Sequence, residues 1–179
     1  ESIDLIRRLV PHYDVVVENF SPGVMKRLGL DYATLAALNL RLVMCSISGY
    51  GQAGPSAGLP AYAPVVQAYS GYEVITQRSQ PGLTRPLNMG LPVADTTAAL
   101  QAFGAITSAL YYRQRTGIGQ YIDIAMLDSL LGTMARDFQL ALARDDTMRY
   151  YGPVETQDGH VITMAFSQPH FEKITAAIG

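Results

Sequence analysis

The chain has 179 residues, enough for one domain or for one domain and the beginning of a second. Hydrophobic residues make up 49% and charged residues 16%, with a formal net charge of −2. That balance excludes a disordered chain and a general surface for nucleic acid or anionic membrane. A single cysteine, Cys45, excludes an internal disulfide framework and a multi-cysteine zinc site.

Ile3, Leu5, Ile6, Leu9 and Val10 follow a helical spacing at the start of the chain. Glu1-Ser2-Ile3-Asp4 has neither the basic nor the apolar region of a signal peptide. No apolar run reaches the roughly 18 residues of a membrane span. A soluble, cytoplasmic protein is expected. The first residue is not Met, and the chain stops at Gly179, a helix C-cap residue after the helical pattern Phe171 to Ile178. A piece of a longer protein is the expectation.

Asp14-Val15-Val16-Val17 is short and β-branched, as a buried strand is. Ser21-Pro22 offers a helix N-cap and N1 proline, with a helix over Val24 to Leu28 ended by Gly29. Asp31 caps a second short helix through Leu35 and Leu38, and Arg41 to Ile47 is another buried strand, in which Cys45 is a small hydrophobe. Strand, crossover helices, strand is a βαβ unit, so the fold class is α/β, with a parallel sheet whose faces are covered by helices. Residues Ser48 to Pro55 carry Gly49, Gly51, Gly54 and Pro55 and form a loop after a strand, where open α/β sheets place their ligands.

Tyr62 to Tyr69 reads as helix. Residues 77 to 92, with Pro81, Gly82, Pro86, Gly90 and Pro92, form a long irregular connection of the kind that is often functional. A long helix follows from Asp95 to Arg115, closed by Gly117 and Gly119. Gln120 to Ala125 alternates like a strand, and Leu127 to Leu142 returns to helix. Four charges between Arg144 and Arg149 mark a linker, and Gln157-Asp158-Gly159-His160 is a hairpin turn into a strand over Val161 to Ala165. The division expected is a large domain over 1–143, a linker over 144–152 and the beginning of a small second domain over 153–179.

Asp95 is the most informative residue. At the start of a long helix a carboxylate accepts backbone N–H groups and meets the positive end of the dipole, both of which favour its ionised form. That is the form a carboxylate nucleophile needs. Aspartate is also a favoured N-cap, and the residues alone leave both readings open. Asn19 and Phe20 follow the first strand, and Arg27 lies one to two turns into the next helix. This arrangement suits a phosphate or nucleotide, and equally a turn asparagine, a core phenylalanine and a solvated arginine. No Gly-x-Gly-x-x-Gly opens a helix, and no Gly-x-Ser-x-Gly elbow is present. His12, His160 and His170 are far apart in sequence and form no metal-ligand spacing. Asp123 and Asp128 read as structural.

Four segments taken together resemble the class III CoA-transferase family, which includes formyl-CoA transferases, carnitine CoA-transferases and α-methylacyl-CoA racemases. They are Val15 to Gly23, Ser46 to Pro55, Pro92 to Thr97 and Thr116 to Asp123, in family order. The resemblance implies part of that family's large domain, followed by the start of a small α+β domain. It implies that Asp95 is the carboxylate acylated during CoA transfer between carboxylic acids, through a mixed anhydride and an aspartyl-CoA thioester. It implies that Asn19, Phe20 and Arg27 contact the CoA nucleotide and that Tyr62 lines the site. Coenzyme A and acyl-CoA enter as substrates, with no metal, and the full-length protein is expected to be an interlocked homodimer.

The departures carry information too. Family racemases pair the aspartate with a histidine where this chain has Tyr62, which favours transfer over racemisation at the α-carbon. Ala63 stands where an acidic residue is common. The family's first strand and its CoA-contacting loop are expected upstream of Glu1, and the glycine-rich loop of formyl-CoA transferases has no counterpart. A CoA-binding piece without turnover of its own is the remaining alternative.

Overall fold

A computed structural model describes residues 1–78, 82–86, 90–137, 151–164 and 167–178. They divide into two compact units, Glu1–Arg136 and Asp137–Gly179.

The first unit opens with helix α1 (Ser2–Leu9) and a 3-10 turn over Val10–His12. Strand β1 (Val15–Glu18), helices α2 (Val24–Arg27) and α3 (Tyr32–Leu38), and strand β2 (Val43–Ser48) follow. Helices α4 (Ala63–Ser70), α5 (Tyr72–Arg78) and α6 (Val93–Thr116) lead to strand β3 (Tyr121–Ala125) and helix α7 (Met126–Thr133). The sheet order is β1-β2-β3, and both pairings are parallel. This is the α/β class with a parallel sheet and helical crossovers that the sequence predicts.

Strand alternation sorts the core onto two faces. On one, Met44 packs with Val10, Leu30, Leu35 and Leu42, and Val16 joins from β1. On the other, Ile47 and Ile124 meet Val66, Ala94, Ala98, Met126 and Leu130. Leu35, Leu42, Val66, Ala94, Ala98 and Leu130 are fully buried. Each buried leucine or valine contributes about 1.5–3 kcal/mol of transfer free energy. The second cluster joins α4, α6 and α7 to the sheet, and Asp95 stands between its members Ala94 and Ala98. Cys45 is fully buried. Its thiol is pushed up to about 11 by burial first, then by the negative charges of Glu18 and Asp123. It has the inert character expected of it.

Several boundaries differ from the sequence reading. Ser21-Pro22 does not cap α2: the Ser21 carbonyl accepts the Val24 N–H at 3.1 Å, forming a turn, and Gly23, at φ 82°, is the capping residue. Asp31 does cap α3, and its side chain accepts the Thr34 N–H at 3.2 Å and the Thr34 hydroxyl at 3.0 Å. Helix α5 covers residues 72 to 76, for which the sequence names no element, and overlaps the expected irregular connection only at Gln77 and Arg78. Glycine 71, at φ 80°, separates it from α4, so two short helices replace one. Helix α6 starts at Val93 rather than at Asp95, because Pro92 is its capping residue. No helix among the described residues is long and apolar enough to cross a membrane.

In the second unit, strands β4 (Tyr151–Thr156) and β5 (Gly159–Met164) pair antiparallel, with Thr156 opposite Gly159, and helix α8 spans Gln168–Ile178. The hairpin turn is the one expected at Gln157-Asp158. Tyr151 and Gly152 belong to β4 and not to the expected linker; the helix expected from Leu127 through Leu142 is interrupted at Met134, where α7 ends, and residues 138–150 and Ala165 lie outside the described residues.

Candidate functional site

All three parallel strands run toward one edge of the sheet, and a cavity of about 760 Å³ opens there. Asn19, Phe20 and Arg27 line it from the turn after β1 and from α2. Ile47, Ser48 and Gly49 line it from the end of β2, and the segment Ala57 to Tyr62 forms another wall. Asp95, Ala99 and Met126 complete it from α6 and the start of α7. The five residues singled out in the sequence, Asp95, Asn19, Phe20, Arg27 and Tyr62, therefore share one cavity although they span residues 19 to 95.

Asp95 is the third residue of α6, in its first turn, and the capping residue, Pro92, offers no side-chain cap hydrogen bond. The capping acceptor comes from α4 instead. Gln67, only 3% exposed, places its side-chain oxygen 2.9 Å from the Val93 N–H and 3.5 Å from the Ala94 N–H. With the helix end satisfied from elsewhere, the Asp95 carboxylate is exposed on the cavity side and open to a substrate. Its place in the first turn of a 24-residue helix still gives it the favourable end of the dipole. Among the described residues, Asp95 and Arg27 are the two charged ones of the lining.

The Asn19–Phe20 turn is fixed by Glu18, a residue whose role the sequence did not show. Glu18 is 8% exposed, and its Oε2 accepts the Phe20 N–H at 2.8 Å. Phe20 and Tyr62 are 52% and 75% exposed, so both rings present apolar surface to the opening rather than to the core. On the far side, Asp123 is held by its backbone opposite Ser46, and its Oδ2 accepts the Gln52 N–H at 2.9 Å. This anchors the glycine-bearing loop to β3. The carbonyl of Gly49 accepts the Leu127 N–H at 3.0 Å, and a Cβ at Gly49 would overlap the methyl of Ala61. Gly49 thereby lets the wall that carries Tyr62 close onto the strand end. Gln67 and Ser48 carried no sequence signal beyond a helix interior and a strand end.

An exposed carboxylate at a helix N-terminus, an arginine across an opening and exposed aromatic rings define a site for an anionic, partly apolar ligand with an electrophilic centre. Comparison with known proteins gives the class. The profile of CoA-transferase family III matches residues 1–179, and the chain belongs to this family. It is 34% identical to a succinate–glutarate CoA-transferase of Agrobacterium fabrum, over 100% of this chain and 46% of that protein. It is 46% identical to an acetyl-CoA:oxalate CoA-transferase of Acetobacter aceti, over 69% of this chain and 31% of that protein. Among solved structures, a CAIB/BAIF family protein from Brucella suis superposes with a TM-score of 0.77 at 34% identity, covering 99% of this chain and 49% of that one. The chain thus spans about half the length of the relatives it matches.

Proposed function

We propose that the protein of which this chain forms part transfers CoA between carboxylic acids, with Asp95 as the covalent nucleophile. The observation that carries the reading is the convergence of Asp95, Arg27, Asn19, Phe20 and Tyr62 on one cavity at the carboxyl edge of the sheet. Membership of CoA-transferase family III supports acyl-CoA and carboxylate substrates. The relatives' names, which include succinate, glutarate and oxalate, support a small carboxylic acid as acceptor. We place the unit Glu1–Arg136 in the catalytic domain and the β4–β5 hairpin with helix α8 in a second domain, joined by a linker that ends before Tyr151, and take the working form to be a cytoplasmic homodimer.

In the proposed cycle a carboxylate oxygen of Asp95 attacks the thioester carbonyl of the donor. A C–O bond forms, the C–S bond breaks, and CoA leaves as thiolate. The thiolate then attacks the aspartyl carbonyl of this mixed anhydride and expels the donor acid as carboxylate, leaving an aspartyl-CoA thioester. The acceptor carboxylate repeats the two steps in reverse, which frees Asp95 and yields the new acyl-CoA. No net proton is transferred. Arg27 supplies charge for the CoA phosphates, Asn19 a hydrogen bond, and Phe20 and Tyr62 apolar walls.

The full-length protein tests this directly. Incubation with an acyl-CoA and hydroxylamine is expected to convert Asp95 to a hydroxamate, located by peptide mass spectrometry. Asp95→Ala is expected to lower kcat by at least about 10³-fold, as removal of a covalent nucleophile does. Transfer at wild-type rates in Asp95→Ala sinks the proposal. Solvent deuterium entering the α-carbon of the acyl group without CoA exchange would point to isomerisation instead.

A further inference from the structure

Ser48 is the last residue of β2, 6% exposed, and lines the cavity that holds Asp95 and Arg27. Its hydroxyl is buried and has no hydrogen-bond partner. Other buried serines of the same unit are paired: the Ser70 hydroxyl donates to the Gln67 carbonyl at 2.8 Å, and the Ser129 hydroxyl donates to the Ala125 carbonyl at 2.8 Å. An unpaired buried hydroxyl costs free energy that alanine would not, and such groups persist where a ligand or a water completes them. Ser48 continues the β2 face of Met44 and Ser46, and Ser46 pairs with Glu18, the last residue of β1 before the Asn19–Phe20 turn. Ser48 shares the cavity lining with Asn19, Phe20, Arg27 and Asp95.

We propose that Ser48 is a substrate-binding residue whose hydroxyl donates a hydrogen bond to an acceptor oxygen of bound acyl-CoA. The inference rests on the CoA-transfer reading and adds a residue to it. The contact is made equally to substrate and transition state, so it acts on affinity and not on the chemical step.

The test uses the full-length protein and Ser48→Ala. The dissociation constant for CoA, measured by calorimetric titration, and the KM for acyl-CoA are expected to rise about 3- to 10-fold, the range of one lost neutral hydrogen bond. The kcat should change by less than about twofold, and the Tm should stay or rise, because an unsatisfied group has been removed from the apo protein. Ser48→Cys keeps the shape with a slightly larger atom and weakens the donor, and is expected to lose affinity in the same direction. Unchanged Kd and KM in Ser48→Ala overturn the inference and leave a water as the partner of Ser48. A weaker Kd accompanied by a lower Tm overturns it too, by showing a role internal to the fold. A wild-type protein that does not bind CoA removes the functional reading itself, a result distinct from wild type and variant binding alike.

Discussion

The side-chain oxygen of Gln67 on α4 accepts the backbone N–H of Val93 at 2.9 Å and so caps, from a neighbouring helix, the helix on which Asp95 stands. The arrangement separates two tasks that a single aspartate at a helix start would otherwise combine. Gln67 satisfies the helix end, and the carboxylate of Asp95 stays open toward the cavity. Gln67→Ala is expected to cost about 1–3 kcal/mol, because it leaves the N–H of fully buried Ala94 without its acceptor and a space in the core where the buried Gln67 side chain stood. Urea denaturation measures that loss. If the cap positions Asp95 for the proposed transfer, kcat for CoA transfer falls while CoA affinity is retained; an unchanged kcat would restrict Gln67 to stability.

Gly49 and Ala61 form a second coupled pair, through the overlap that a Cβ at residue 49 would create. Gly49→Ala is expected to destabilise by about 1–3 kcal/mol, the usual cost of overpacking, and to lower activity by displacing the wall that carries Tyr62. Adding Ala61→Gly should restore most of both. A double variant as unstable as Gly49→Ala alone would place the strain elsewhere.

Asp31 separates helix stability from the site. Slight burial raises its pKa, but the hydroxyl and N–H of Thr34 outweigh this and hold the carboxyl below its ordinary value. Its stabilising contribution is therefore present above the unfolded-state pKa and lost as pH falls through the lower folded value. Asp31→Ala is expected to cost about 1 kcal/mol at neutral pH, and the difference from wild type should shrink in acid. Because Asp31 does not line the cavity with Asp95, CoA transfer should be unaffected.

Cys45 makes a prediction of opposite sign. Its thiol is raised to about 11 in the fold by burial, then by Glu18 and Asp123. A raised folded value stabilises below the unfolded-state pKa and is lost as pH rises through the folded one, so stability should fall between about pH 8.5 and 11. Cys45→Ala should flatten that limb. Iodoacetamide at pH 8 should label the thiol only after denaturant is added; rapid labelling of the native protein would contradict the burial.

The strands, the βαβ order and the Asp31 cap were legible because they are local: β-branched runs, crossover lengths and an aspartate three residues before a threonine amide. The family was legible too, because four short segments in order carry it. Helix α5 and the true start of α6 were not. Proline 92 and Gly71 are ambiguous until packing against α4 and the sheet selects a boundary. The hairpin at Gln157–Asp158 needed nothing beyond turn chemistry and two β-capable flanks.

For the site, the sequence by itself determined the residue types and their order: a carboxylate near a helix start, an asparagine, an aromatic and an arginine after a strand, and a tyrosine before a helix. Only the tertiary structure decided that these residues, up to 76 positions apart, line one cavity. It alone decided that Gln67 and not Asp95 caps α6, that Glu18 fixes the Asn19–Phe20 turn, and that the Ser48 hydroxyl is left without a partner. The physical reason is range. Propensity and capping act within a few residues, whereas hydrogen-bond satisfaction and closure of a cavity depend on which distant backbone the sheet register brings alongside.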